Sequence, residues 1–211
     1  MERTKVKICG LTNLDDALAA AEAGADAVGF VLYRKSPRYV ELGTVRAIVR
    51  ALPPLVLPVG VFVNENVETV RDTIDACGLA LAQLHGDESS SYCELLGRPV
   101  LKALRAKDRI SALAVAEYQG RAGVRGFVLD ACSSQAYGGT GLLADWNLAA
   151  ALAKTCPILL AGGLTPENVA DAIRTVRPYG VDVSSGVETS PGKKDHGRLR
   201  AFVQAVRLVS V

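Results

Sequence analysis

A chain of 211 residues, 49% hydrophobic but only 5% aromatic, has room for one large core or two small ones and the composition of a globular protein. A formal charge of +2 with no long basic block excludes broad electrostatic attachment to nucleic acid, although a local anion site stays open. No apolar run is long enough to span a membrane, and no secretory segment precedes the first strand pattern. The five cysteines are scattered without CxxC spacing, which argues against a disulfide framework or a zinc site and for a reducing cytoplasm. Only two histidines are present, His85 and His196, far apart and without metal-ligand spacing, so no metal is expected.

Lys5 to Cys9 alternates polar and apolar residues and stops at Gly10, the pattern of a strand with two different faces ending in a sharp turn. Asn13 can cap a helix that runs to Ala23, with Leu14, Ala17, Leu18 and Ala21 at helical spacing, Asp15 and Asp16 in the first turn, and Gly24 ending it. Ala25 to Tyr33 reads as a buried strand, Arg34 to Tyr39 as a basic loop containing Pro37, and Thr44 to Leu52 as a short helix. Pro58 to Val63 is a strand, and Val67, Val70 and Ile74 mark one face of a helix. Leu79 to Leu84 is a strand leading into His85 and Gly86, and Ser90 to Leu96 a weaker helix.

Val100 to Leu104 is a strand, Ile110 to Tyr118 a helix, and Phe127 to Leu129 the centre of a strand ending at Asp130. A long irregular stretch, Ala131 to Ala144, follows; it contains Gly138-Gly139-Thr140-Gly141, and Asp145 begins a helix. Ile158 to Ala161 is a strand ending in Gly162-Gly163, and Thr165-Pro166-Glu167 has the cap and first-turn proline of a helix start. Val181 to Val183 is a strand ending in Ser184-Ser185-Gly186, Lys193-Lys194 reads as a solvated loop, and a last helix covers Leu199 to Leu208.

Eight strand–helix units with unalternating apolar strands imply a parallel sheet covered on its outer face. They close naturally into a single α/β domain over residues 1–211, an eight-stranded (β/α)8 (TIM) barrel near the short end of the size range. An open doubly wound sheet is the competing fold. No GxGxxG follows the first strand, and unusual residues stand at many strand ends rather than at one crevice, both of which weigh against it.

In such a barrel the strand ends converge on one mouth. Cys9 there is either a small core residue or a nucleophile or base. Asp130 is either an ion-paired strand-end carboxylate or a partly desolvated acid with a raised pKa. Gly162-Gly163 and Ser184-Ser185-Gly186 are side-chain-poor loops whose N–H groups can approach an anion, and Ser185-Gly186 can open a short helix toward a phosphate. Gly139 and Gly141 can add donors or serve as a hinge. Arg38 can hold a carboxylate through two parallel hydrogen bonds, and His85 reads as a pocket wall.

Together, Val6-Lys7-Ile8-Cys9-Gly10, Gly24 to Phe30, Ser36-Pro37-Arg38-Tyr39, Val59 to Asn64, Gln83-Leu84-His85-Gly86, Tyr137 to Gly141, Asp182 to Glu188 and Pro191 to Asp195 make the chain resemble the phosphoribosylanthranilate isomerases over nearly its whole length. The resemblance implies a (β/α)8 barrel and an isomerase of tryptophan (aromatic amino-acid) biosynthesis. The implied substrate is a phosphorylated aminosugar, rearranged without cofactor or metal by general acid–base catalysis. It implies that Asp130 is the general acid, Cys9 the general base, and Arg38 the holder of the anthranilate carboxylate. Gly162, Gly163, Ser185 and Gly186, with the loop from Gly139 to Gly141, would hold the phosphate, Ser184 would be a further substrate-binding residue, and Gln83, His85 and Asp182 would line the pocket near the sugar. Cys9 would then need only a modest downward shift to act near neutrality. Leu142-Leu143-Ala144 departs from the family pattern, which has a polar residue and an aromatic there. A monomer or homodimer without nucleic-acid or membrane partners is expected. Three rival readings stand beside this one. The histidine-pathway isomerase pairs two aspartates, indole-glycerol-phosphate synthase needs a catalytic lysine and an N-terminal extension, and a non-catalytic phosphate-binding barrel would not depend on Cys9.

Overall fold

A computed structural model describes residues 3–105, 108–130 and 146–209. Strands β1 (Lys5–Cys9), β2 (Ala27–Val31), β3 (Leu57–Phe62), β4 (Leu81–Leu84), β5 (Val100–Arg105), β6 (Val124–Asp130), β7 (Ile158–Leu160) and β8 (Gly180–Val183) form a closed barrel in sequence order. All pairs are parallel, and β8 returns to β1 with Lys7 opposite Asp182. Helices α1 (Leu14–Ala23), α2 (Leu42–Ala51), α3 (Val67–Cys77), α4 (Ser90–Leu96), α5 (Asp108–Tyr118), α6 (Trp146–Ala153), α7 (Val169–Val176) and α8 (His196–Arg207) alternate with the strands. This is the expected (β/α)8 architecture. No helix among the described residues is long and apolar enough to cross a membrane.

Side-chain alternation along the strands separates two cores. Val6, Ile8, Val28, Phe30, Phe127, Leu129, Ile158, Leu160, Val181 and Val183 face the helices and belong to the large outer core. Leu101, Ala103, Val128, Leu159 and Ala161 form a small inner cluster. Each fully buried Leu, Ile or Phe contributes roughly 1.5–3 kcal/mol. Most of the stability therefore resides between sheet and helices, and polar side chains can occupy the inner face.

Local signals set most boundaries. Asn13 caps α1 by accepting from the Asp16 N–H, and Gly24 ends it in the left-handed conformation. Asn66 and Ser89 cap α3 and α4 in the same way. Several boundaries differ from the expectation, four of them for a visible local reason. β2 starts at Ala27 because the Ala25 N–H closes α1 on the Ala20 carbonyl. α2 starts at Leu42 after Glu41, which makes no side-chain cap. α7 starts at Val169, because Thr165 opens a separate turn in which the Asn168 side chain accepts from the Thr165 N–H at 2.8 Å. α8 starts at His196, where the Asp195 carboxylate accepts from the Gly197 and Arg198 N–H groups.

After β8 comes the expected short helix, a 3-10 turn at Ser185–Val187. Beyond it lies an antiparallel hairpin not expected from the residues, β9 (Glu188–Ser190) with β10 (Lys193–Lys194). It is too short and polar to show a hydrophobic period.

Candidate active site

The inward parity of each strand fixes what faces the barrel mouth. On β1, Lys7 and Cys9 point inward while Val6 and Ile8 join the outer core. On β4, Gln83 points inward, and His85 follows two residues later. Asp130 ends β6, and Asp182 lies inward on β8. These residues line or adjoin a cavity of about 500 Å³, whose other walls include Arg38, Gly162, Gly163, Ser184 and Ser185. That size suits a small-molecule ligand. Of the residues picked out in the sequence, Gly186 does not line the cavity. A Cβ there would run into the Leu164 carbonyl, so Gly186 is the joint where the two loops pack. Gly139, Gly141 and Leu142 to Ala144 lie outside the described residues.

Cys9 is 8% exposed, and its sulfur stands over Gly29, its partner on β2. A Cβ at Gly29 would come 2.8 Å from the Cys9 sulfur and 3.1 Å from Lys7 Nζ, so thiol and ammonium share the space that the glycine leaves. Lys7, 1% exposed, donates to both Asp182 oxygens at 2.9 Å. Burial works to lower the Lys7 pKa, but the Asp182 carboxylate and the neighbouring thiol leave it raised. Burial pushes the Cys9 thiol up, with Lys7 as the main opposing influence. The modest downward shift that a base near neutrality would need is not present in the resting site: desolvation of a thiolate outweighs the nearby ammonium.

Across the cavity, His85 Nε2 lies 3.3 Å from an Asp130 oxygen, and His85 Nδ1 lies 2.9 Å from Gln83 Nε2. With the amide nitrogen donating, Nδ1 accepts and a neutral ring carries its proton on Nε2, toward Asp130. Gln83 Oε1 is buried without a hydrogen-bond partner among the described residues. The loop carrying His85 is fixed from below: buried Lys102 donates to the carbonyls of Leu84 and Gly86 and to the Glu88 carboxylate at 2.8 Å.

Gly10 turns the chain at the end of β1 with φ +76, and a Cβ there would stand 2.7 Å from Arg38 Cδ. Arg38 comes from the loop after β2, and its guanidinium is not free to take a ligand through its side-on edge. Nε and Nη2 both donate to Glu188, Nη2 at 2.7 Å. The Nη1/Nη2 edge remains for any second carboxylate. Glu188 is held in turn by Lys194 at 2.8 Å; burial works to raise its pKa, but these two cations leave it lowered.

Sequence reasoning missed Lys7, Glu188 and Lys194 as site residues, and the reading of Lys193-Lys194 as a solvated loop holds only for Lys193. Lys194 is 3% exposed. The two-residue strand β10 alternates, sending one lysine out and the next into the barrel rim. For Lys7 a signal existed: two residues before Cys9, it must share the thiol's face. Glu188 and Lys194 stand in two of the motifs that carry the resemblance, but no local pattern gave their roles, because Arg38 and the Cys9 carbonyl are distant in the chain.

A closed barrel whose polar inward residues gather at the carboxyl ends of its strands defines a (β/α)8-barrel enzyme. A family model described as N-(5'phosphoribosyl)anthranilate (PRA) isomerase matches residues 6–205. The N-(5'-phosphoribosyl)anthranilate isomerase of Pelobacter propionicus is 50% identical over 203 residues, covering 96% of this chain and 95% of that one. The phosphoribosyl anthranilate isomerase of Thermotoga maritima superposes with a TM-score of 0.89 at 41% identity, covering 97% and 98% of the two chains. A phosphoribosyl anthranilate isomerase in complex with reduced 1-(o-carboxyphenylamino)-1-deoxyribulose 5-phosphate superposes with a TM-score of 0.86 at 40% identity, again covering 97% and 98%. The chain belongs to the N-(5'-phosphoribosyl)anthranilate isomerase family.

Proposed function

We propose that this chain catalyses the Amadori rearrangement of N-(5-phosphoribosyl)anthranilate to 1-(2-carboxyphenylamino)-1-deoxyribulose 5-phosphate, the isomerase step of tryptophan biosynthesis. The observation that carries the reading is that Cys9 and Asp130 face one cavity whose wall includes Gly162, Gly163, Ser184 and Ser185, in a chain of this family.

The phosphate sits on the N–H groups of the loops after β7 and β8, at the start of the 3-10 turn. The carboxylate meets the Nη1/Nη2 edge of Arg38. These two anchors fix the sugar between acid and base. Asp130 gives its proton to the furanose oxygen, the C1–O bond breaks toward that oxygen, and the nitrogen lone pair forms the Schiff base. Cys9 takes the proton from C2, that bonding pair becomes the C1=C2 bond, and the C1=N π pair returns to nitrogen to give an enolamine. Loss of the C2 hydroxyl proton and gain of a proton at C1 give the ketone. The cation formed on ring opening stands beside Cys9 at the moment a thiolate is needed, adding to Lys7 against the burial that raises the thiol's pKa. Gln83 Oε1 and His85 face the sugar hydroxyls. Cys9, Cys77, Cys93 and Cys156 are free thiols, which supports placing the enzyme in the reducing cytoplasm.

The test is the fluorescence of phosphoribosylanthranilate made in situ, which the enzyme should abolish. Cys9→Ala and Asp130→Asn should each bind the reduced product analogue as wild type does and lose at least about 10²–10⁴-fold in turnover. Either variant at the wild-type rate refutes the mechanism.

A further inference from the structure

The hairpin after β8 does more than close the barrel rim. Lys194 Nζ, enclosed, donates to the main-chain carbonyl of Cys9 at 2.6 Å, to the carbonyl of Ser184 at 3.2 Å and to Glu188 at 2.8 Å. One ammonium thus joins the end of β1, which carries Cys9, to the end of β8, which opens the Ser184-Ser185 loop. Its own main chain is anchored from the other side, where the Lys194 N–H donates to the buried Asp16 carboxylate of α1 at 2.8 Å. Glu188 uses the remaining charge: it accepts the side-on edge of Arg38 and also the Gly192 N–H at 3.4 Å. Two cations and one anion therefore meet beside the cavity, and each of them touches a group assigned to the chemistry.

We propose that Lys194 and Glu188 are positioning residues for the isomerisation, Lys194 acting through the main chain of Cys9 and Glu188 through Arg38. The assignment rests on the function proposed above. The device is divided. Lys194 sets where the thiol of Cys9 stands relative to the sugar. Glu188 turns Arg38 so that only its Nη1/Nη2 edge is presented to the carboxylate of the substrate, which makes it a determinant of specificity for a carboxylated arylamine. The charges that reach Cys9 are Lys7 on its own strand, Asp182 on β8, Lys194 on β10 and Arg38 in the loop after β2. Lys194 is one of the cations that favour the thiolate.

The experiment compares wild type, Lys194→Met and Glu188→Gln, each checked for folding by thermal melting. It measures kcat, KM and the pH dependence of Cys9 alkylation by iodoacetamide, read on the Cys9 peptide by mass spectrometry. Lys194→Met should lower kcat by about 10–100-fold with little change in KM. It should also move the alkylation midpoint of Cys9 to higher pH, since a cation has been removed. Glu188→Gln should raise KM about tenfold with a smaller effect on kcat, because Arg38 is no longer held. A purely structural role predicts equal losses in both variants and an unmoved alkylation midpoint, and that result overturns the proposal. If Lys194→Met does not fold, Glu188→Gln decides alone: an unchanged KM overturns it. An inactive wild type would refute the function instead, and the alkylation profile, which needs no substrate, would still test the link between Lys194 and Cys9.

Discussion

Lys7→Met removes one half of the ion pair at the bottom of the cavity. Both partners are buried, with side-chain exposures of 1% and 7%, and both contacts are 2.9 Å. At that separation the attraction is about 6 kcal/mol for an effective dielectric of about 20. Loss of one partner leaves Asp182 buried and uncompensated, which costs about 3–5 kcal/mol. For a chain of this length that is a fall of roughly 6–20 °C in melting temperature. A second consequence separates this pair from an ordinary buried salt bridge. Lys7 is the main group opposing burial at Cys9, so its loss should raise the thiol further and slow turnover even in molecules that stay folded. The assay is a double-variant cycle. Asp182→Leu added to Lys7→Met should recover most of the stability, since apolar replacement of a buried pair is often neutral or better. It should not recover turnover, and the alkylation midpoint of Cys9 should fall only part of the way back, since Asp182 raises the thiol by less than Lys7 lowers it. A Lys7→Met protein that melts with wild type, or one whose Cys9 profile is unmoved, would refute the reasoning.

Two further outcomes follow from the same structure. In the folded protein burial works to raise the Asp16 pKa, but the N–H of Lys194, His196 and Asn13 leave it lowered. Its contribution is present above the ordinary carboxylate value of about 4 and is lost as pH falls through the folded value. Asp16→Asn should therefore lower the urea midpoint at neutral pH and flatten its decline in acid; an unchanged acid limb counts against the cluster. Gly10→Ala places a Cβ 2.7 Å from Arg38 Cδ and 2.9 Å from Ser184 Oγ at φ +76. It should cost more than about 1 kcal/mol of stability and raise KM as Arg38 is displaced, with a wild-type KM as the refuting result.

Much of this molecule follows from short-range rules. Asn13, Asn66 and Ser89 stop their chains at helix starts because a side-chain oxygen reaches an N–H three residues on. Period-two alternation puts Gln83 with His85, and Lys7 with Cys9, on one face whatever the rest of the chain does. Alternating strands and helices of this length then leave the closed barrel as the economical way to cover every apolar face, and that places Cys9 and Asp130 at one mouth. The pairings were decided elsewhere. Lys7 finds Asp182 across 175 residues, Arg38 finds Glu188 across 150, and Lys194 finds the Cys9 carbonyl across 185. Nothing local distinguishes Lys194, locked in the barrel rim, from its exposed neighbour Lys193. The state of the Cys9 thiol is likewise a sum of desolvation and Coulomb effects from three strands. Each of those effects depends on distances that exist only once the sheet has closed, which is why the residues alone could say what shift a base would need but not which way the folded protein moves the thiol.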